Sequence, residues 1–260
     1  VAFNGDVVFI QKASLSPEEI GLYPAQFAKM SPLPSMASAI DDGERVLFLD
    51  ATQLVAQEGL SRLRTLVEFN GGGGKAPTIV DRLMRSSVDW NETLTVGNEW
   101  YDRCVKIAEI ESVQNRDRQW KQMEQDMDAE MVKMQGTNVA RLLFASKKTK
   151  GRHMSTILAK LLIPAIGAAT NAESRARDQR QLTVVAFAME AYRERHGIYP
   201  KQLEQLTPLY VKSIPQDLFA EGPYKYETNG EDYRLYGVGS NFKYDDGSSG
   251  LDDVVSSPGW

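Results

Sequence analysis

The chain has 260 residues, 42% of them apolar and 25% charged, which are the proportions of a soluble globular protein with one or two domains. The formal net charge is −5, and the acidic excess lies after residue 215, where nine acids stand against three bases. This excess excludes a nucleic-acid surface in that part, because phosphates would be repelled. The single cysteine, Cys104, excludes an intrachain disulfide and leaves the redox compartment open.

The chain opens on Val1, without an initiator Met and without a signal-peptide pattern. We therefore expect a processed or trimmed product, with a membrane anchor upstream of it. The strongest apolar run is ILAKLLIPAIGAA, residues 157–169. It has ~13 residues where a membrane span needs ~20, and Lys160 and Pro164 interrupt it. These features favour a buried core helix over a membrane span.

The first 150 residues are predicted to form a mainly helical domain. Residues 41–58 carry apolar side chains at helical spacing before Gly59, namely Val46, Leu47, Leu49, Leu54 and Val55. A second helix is predicted in VDWNETLTVGNEWYDRCVKIAEI, residues 88–110, with Asp89 or Asn91 as its cap. Its aromatic residues and Cys104 are expected in the core. The glycines at 71–74 lack the spacing of a phosphate loop and indicate a turn.

Two charged segments follow. In residues 116–134 the methionines recur every three or four residues, which predicts the core-facing edge of a helix; a flexible groove for a partner is the alternative. Residues 141–153 contain five basic side chains and one aromatic, Phe144. We interpret them as a solvated linker, with contact to an anionic surface as the alternative.

Residues 151–260 are predicted to form a long helix on a small antiparallel sheet. Pro164 is expected to bend or stop the first helical piece, because proline lacks the amide donor. Gly197 and Pro200 end the second piece, and His196 is interpreted as a terminal helix residue. The predicted buried stripe of that helix comprises Leu182, Val185, Ala186, Met189 and either Tyr192 or Arg193.

Short elements are expected after Pro200. A short helix is predicted at 201–206, and strands are predicted in PYKYET and DYRLYGVG, residues 223–228 and 232–239. The dipeptide Asn229-Gly230 between the two strands is typical of a two-residue hairpin turn.

The segment GSNFKYDDGSSGLDDVVSSPGW, residues 239–260, holds two acidic pairs in a loop rich in Gly and Ser. Adjacent carboxylates repel one another unless their charge is neutralised. Calcium can neutralise them, with ~6–8 oxygen ligands from carboxylates and carbonyls. The alternating acidic positions of an EF-hand are missing, so a calcium site and a solvated acidic loop both stay open at this point.

Four segments stand in the order AMEAYRERHGIYPKQLEQL, PLYVKSIPQDLF, PYKYETNGEDYRLYGVGSNFKYDDG and DDVVSSPGW. Together they resemble the globular part of the major pseudopilin (protein G) of type II secretion systems. That family has a long helix that ends at a Gly and is followed by Tyr-Pro, then a Tyr-rich hairpin and a calcium loop that ends near a Trp. The resemblance covers residues 165–260. It implies calcium ligands at Asn241, Asp245, Asp246, Asp252 and Asp253, and a backbone carbonyl near Val238.

The sequence departs from that family in position and in motif. A pseudopilin begins with its hydrophobic helix directly after a processing site, whereas residues 157–169 lie inside this chain. Asp217-Leu218-Phe219 stands where the family has Asp-Pro-Phe. The segment VDWNETLTVGNEWYDR is similar to the region preceding such domains in large uncharacterised bacterial exported proteins. The resemblances therefore imply an exported protein that uses the domain without forming a fibre.

Three classes of function follow for this α+β chain, with domains at 1–150 and 151–260. We favour a non-catalytic exported, periplasmic or envelope protein whose pseudopilin-like domain contacts a protein partner and binds calcium. The second class is a true pseudopilus subunit. The third is a carboxylate-based hydrolase, since a carboxylate pair can serve glycoside hydrolysis. Against a hydrolase, residues 237–240 lack the spacing of a nucleophile elbow, and the sequence has no zinc motif.

Overall fold

A computed structural model describes residues 35–59, 87–135, 144–220, 222–243 and 254–256, with the backbone alone at 134–135 and 254–256. Helices and small antiparallel sheets make up these ranges, so the predicted α+β class is confirmed. The described residues form two compact units. The N-terminal unit holds 35–111 and 115–170, and the C-terminal unit holds 112–114 and the residues from 171 onward. The domain boundary at residue 150 stays a prediction.

The helices begin and end at local sequence signals. The side chain of Asp89 accepts a hydrogen bond from the Glu92 amide at 3.1 Å, which confirms one of the two predicted caps. Gly59 and Gly197, with φ angles of 90° and 78°, follow two of the helices as predicted. The helices are α1 (Met36–Ala39), α2 (Arg45–Glu58) after a π-helical turn (Ile40–Glu44), α3 (Trp90–Ala108), α4 (Val113–Gln135) and α5 (Lys147–His196).

The strands are short and antiparallel. A two-stranded ladder pairs β1 (Gln216–Asp217) with β2 (Gly222–Pro223). A separate sheet has the order β3 (Lys225–Thr228), β4 (Tyr233–Tyr236), β5 (Val254–Ser256), and in its register Leu235 lies between Tyr226 and Val255. The ladder was not predicted, whereas β3 and β4 lie within the two predicted strands.

The connections around the sheet differ in detail from the prediction. Residues 229–232 join β3 to β4, so the predicted two-residue turn at Asn229-Gly230 is wrong in length. The reason is the side chain of Asn229, whose Oδ1 accepts from the amides of Glu231 at 3.0 Å and Asp232 at 2.7 Å. The predicted helix at 201–206 is a 3₁₀ turn (Leu203–Leu206), because Gln202 before it is extended.

The helix α5 continues through Pro164, so of the predicted bend or stop at this residue the stop is wrong. A proline inside a helix costs about 3 kcal/mol, since it removes one backbone hydrogen bond. Ile163 and Ile166 on either side of it are almost completely buried, and this packing offsets the cost. The result is a single helix of 50 residues.

The predicted solvated linker is also wrong where the structure describes it, because residues 147–153 belong to α5. Lys150 is 5% exposed, and its Nζ donates to Ser87 Oγ at 3.0 Å. The Thr93 hydroxyl donates to the carbonyl of Gly151 at 3.1 Å. A Cβ on Gly151 would lie 2.3 Å from the carbonyl oxygen of Asp89, so only glycine permits this close approach of α3 and α5.

The helix α2 is confirmed, but its buried face is not the one that the apolar residues indicated. Val46, Leu47 and Leu49 are about half exposed, at 51%, 55% and 47%. The buried positions are Phe48, Thr52 and Val55, and of these three Val55 alone belongs to the predicted apolar set. Thr52 is tolerated in the core because its hydroxyl donates to the carbonyl of Phe48 at 2.8 Å.

The core of the N-terminal unit confirms the interpretation of the methionine stripe and of Cys104. Met123 and Met127 are 0% and 1% exposed, and the Cys104 thiol is fully buried. Burial raises the pKa of this thiol to about 12, so it stays protonated at neutral pH. The fully or almost fully buried core residues of this unit include Ile40, Phe48, Tyr101, Cys104, Met123, Met127, Leu158 and Ile163.

The core of the C-terminal unit confirms the predicted stripe. Leu182, Val185, Ala186 and Met189 are buried at spacings of three, one and three residues on one face of α5. They pack against side chains of the sheet and of the segment after the helix, including Tyr199, Leu206, Tyr224, Tyr233 and Leu235.

Within the described residues, one helix is long and apolar enough to cross a membrane. It is α5, where the mean hydropathy over 18 residues reaches 1.3. Half of that window is buried, and core helices of soluble proteins share the same length and composition.

We predict that Gly97→Ala destabilises the protein. The new Cβ would lie 2.0 Å from Cε1 of Phe48, and Phe48 is 1% exposed and cannot move aside. Overpacking of this kind lowers the free energy of unfolding by about 1–3 kcal/mol, to be measured by urea denaturation. The matched control is Gly43→Ala, whose Cβ meets nothing within 4 Å and should cause no loss. Equal stability of the two variants would contradict this packing.

Candidate functional site

The start of the acidic loop is held by a buried carboxylate in β1. Asp217 is 1% exposed, and its Oδ1 accepts hydrogen bonds from the amides of Phe219 at 2.7 Å and Ala220 at 3.1 Å. Its Oδ2 accepts from the amide of Val238 at 2.7 Å. A Cβ on Gly237 would lie 3.0 Å from that oxygen, so the chain leaving β4 passes close to the carboxylate. Asp217 thereby fixes the backbone at the point where the loop begins.

A second buried carboxylate connects α5 to the same segment. Asp178 is 0% exposed. Its Oδ1 accepts from the Leu218 amide at 3.0 Å and from the Tyr224 hydroxyl at 2.7 Å. Two carboxylates therefore bind the segment after β1: Asp178, which lies on α5, and Asp217, which lies in β1.

The described start of the loop is a turn between Gly239 and Phe242. Both residues have positive φ, at 67° and 57°, and the Phe242 amide donates to the Gly239 carbonyl at 3.2 Å. The Phe242 ring packs edge-on against Phe219, with centroids 5.8 Å apart. Asn241 lies within this turn, and its Oδ1 accepts from the amide of Lys243 at 2.9 Å. The carboxamide of this predicted calcium ligand thus contributes to the turn.

The two ends of the acidic loop are neighbours in the sheet. Tyr236, the last residue of β4, is the antiparallel partner of Val254, the first residue of β5. Residues 237–253 therefore leave and re-enter the sheet at the same end. Of the predicted ligands, Asn241 is described, and Asp245, Asp246, Asp252 and Asp253 lie outside the described residues.

The predicted calcium site therefore stays a prediction. Across the ranges that the structure describes, no group of three or more His, Cys, Asp or Glu side chains is arranged to hold a metal ion. The four aspartates of the loop lie outside those ranges.

A third buried carboxylate lies near the C-terminal end of α5. Glu190 is 1% exposed, accepts from the Tyr199 hydroxyl at 2.7 Å, and forms an ion pair with Arg193 at 3.0 Å. Arg193 also donates to the Tyr199 hydroxyl at 2.8 Å. Burial, together with the negative charge of Glu190, raises the pKa of Tyr199. The phenol therefore stays protonated and continues to donate to Glu190.

An aromatic cluster lies on the same end of α5. His196 is the last residue of the helix, as predicted, and its ring stacks on Tyr192 with centroids 4.2 Å apart. Tyr192 in turn contacts Tyr210, with centroids 5.6 Å apart. His196 is exposed, which agrees with its interpretation as a terminal helix residue.

Nothing matches this chain in comparisons with models of protein families, with curated proteins or with solved structures.

Burial of the three carboxylates was not predicted from the sequence. A signal for two of them was present, because Asp178 lies four residues before Leu182 and Glu190 lies four residues after Ala186. Both positions continue the buried stripe, and a carboxylate on an apolar stripe needs a buried partner. Asp217 had no such signal, because its three amide partners come from two separate parts of the chain.

We predict that Asp217→Asn lowers the free energy of unfolding by about 1.5–3 kcal/mol, since a carboxamide cannot accept on both sides and its NH₂ group would face an amide donor. Chemical denaturation at pH 7 measures this effect. The matched control Glu204→Gln changes an exposed carboxylate and should stay within about 0.5 kcal/mol of the parent chain. A stability of Asp217→Asn equal to that of the control would show that the three amide hydrogen bonds to this carboxylate do not stabilise the protein.

We predict that Tyr199→Phe is more destabilising than Tyr210→Phe. The first removes the donor to a buried carboxylate and costs about 1.5–3 kcal/mol. The second removes a buried hydroxyl that has no hydrogen-bond partner among the described residues, so it should be neutral or stabilising. Thermal melts of the two variants test the difference in one experiment. The reverse order of stability would contradict a stabilising hydrogen bond between Tyr199 and Glu190.

Proposed function

We propose that the chain is a non-catalytic exported or envelope protein whose C-terminal, pseudopilin-like unit docks onto a protein partner, with calcium bound in the acidic loop. The exported location and the calcium ligands come from the resemblance of residues 165–260 to the major pseudopilin. The element order of the C-terminal unit is compatible with that resemblance, since a long helix is followed by a small antiparallel sheet.

The observation that carries the proposal is the pairing of Tyr236 with Val254, which fixes both ends of the acidic loop at one end of the sheet. Two acidic pairs in one closed loop cannot separate as they would in an open tail. Their mutual repulsion then favours a bound cation, and calcium accepts carboxylate and carbonyl ligands in irregular loops.

The chemistry of the buried carboxylates supports a docking function over catalysis. Asp178, Asp217 and Glu190 accept hydrogen bonds from backbone amides and tyrosine hydroxyls, and Glu190 is also paired with Arg193. A general acid or base must instead reach a substrate proton. The hydrogen bonds of these three groups serve to hold the helix against the sheet segments.

We predict that millimolar calcium raises the melting temperature relative to chelator, because a ligand that binds only the native state stabilises it. At 100 times the dissociation constant the gain is about 2.7 kcal/mol. The double variant Asp252→Asn/Asp253→Asn should lose the shift.

The matched control for this experiment is Glu231→Gln, which removes one acid from the hairpin turn outside the loop and should keep the full shift. Magnesium at the same concentration separates a specific site from general screening of charge. An unchanged melting temperature at millimolar calcium would remove the metal from the proposal. Assembly of the purified chain with secretion components into polymers would instead favour a pseudopilus subunit.

A further inference from the structure

The N-terminal unit contains a half-open cleft between α3, α4 and α5. Its volume is about 320 Å³, at the lower end of the ~300–1,000 Å³ found for small-molecule sites. One wall is apolar and includes the ring of Trp100. The remaining lining carries both signs of charge, with guanidinium groups from Arg103 and Arg152 and carboxylates from Glu99, Asp126 and Glu130.

One guanidinium in the cleft is fixed by its neighbours. Arg103 Nη1 lies 2.6 Å from Asp126 Oδ2, and its Cζ lies 6.0 Å from the centroid of the Trp100 ring. Hydrogen bonds from Gln122 and Arg103 lower the pKa of Asp126, which stays ionised. Arg103 and Asp126 therefore neutralise one another.

One guanidinium of the cleft has donors that are available to a ligand. Arg152 uses its Nε to bind Glu92 Oε1 at 2.6 Å, and within the described residues its two Nη groups make no hydrogen bond. The fork of a guanidinium matches a carboxylate in geometry.

Acceptors are available in the same cleft. Glu99 makes no ion pair with any described residue, and Glu130 uses Oε1 to bind Lys133 at 2.5 Å. These carboxylates would repel a purely anionic ligand, and the guanidinium of Arg152 would repel a purely cationic one. A molecule that carries both charges at its two ends satisfies both sets of groups.

We propose that this cleft binds a small zwitterion of the amino-acid or dipeptide class. The ligand carboxylate binds the Nη groups of Arg152. The ligand ammonium binds Glu99 and Glu130, and an aliphatic side chain packs on the apolar wall. This site lies within the N-terminal unit and is independent of the calcium loop.

Isothermal titration of the full chain with glycyl-L-leucine tests the proposal, with Trp fluorescence as a second readout because Trp100 lines the cleft. The N-acetylated and the C-amidated forms of the same dipeptide each lack one charge. Each should bind at least about tenfold more weakly, the factor that corresponds to one lost charge contact. Absence of binding at millimolar dipeptide, or equal binding of the acetylated form, would overturn the proposal.

Two variants locate the binding in the cleft. Arg152→Gln and Glu99→Gln should each lower the affinity for glycyl-L-leucine about tenfold, and both side chains are exposed, so folding is preserved. The matched control Lys121→Gln removes an equally exposed cation that pairs with Asp117 outside the cleft, and should leave the affinity unchanged. Wild-type affinity in both cleft variants would place the dipeptide elsewhere and overturn the proposal.

Discussion

A carboxylate that leaves water must regain inside the protein the hydrogen bonds it has lost, and the C-terminal unit depends on meeting this requirement three times. Asp217 meets it with three backbone amides, Asp178 with an amide and a tyrosine, and Glu190 with a tyrosine and an arginine. These contacts hold α5 to the segment after β1, that segment to the exit of β4, and the end of α5 to Tyr199, two residues after the Gly197 that ends the helix.

The features that the sequence predicted correctly depend on short stretches of chain. The cap at Asp89 and the stop at Gly197 follow from the backbone conformations that these residues favour. The buried stripe of α5 follows from the spacing of its apolar residues, as does the burial of Met123 and Met127. The prediction of the α+β class required only these signals and the two Tyr-rich strands.

The features that the sequence could not predict depend on contacts between distant residues. Pro164 has the local properties of a helix stop, and burial of its neighbours overrides them. The face of α2 turned inward is decided by Phe48, whose ring packs at 5.3 Å from that of Tyr101 in another helix. The amides that bind the Asp217 carboxylate likewise come from two separate parts of the chain. For the candidate calcium site, the acidic residues could be recognised in the sequence, and the structure describes one of the five predicted ligands, Asn241.

Because Tyr236 pairs with Val254, the acidic loop between them can change in length without a change in the strand pairing of the sheet. Adding residues to a flexible loop costs little, about 0.6 kcal/mol for a doubling of its length, because closure entropy grows only logarithmically. Shifting β5 by one residue against β4 would instead exchange the two faces of the strand. Evolution can therefore vary the number and spacing of acids between these strands while the fold persists.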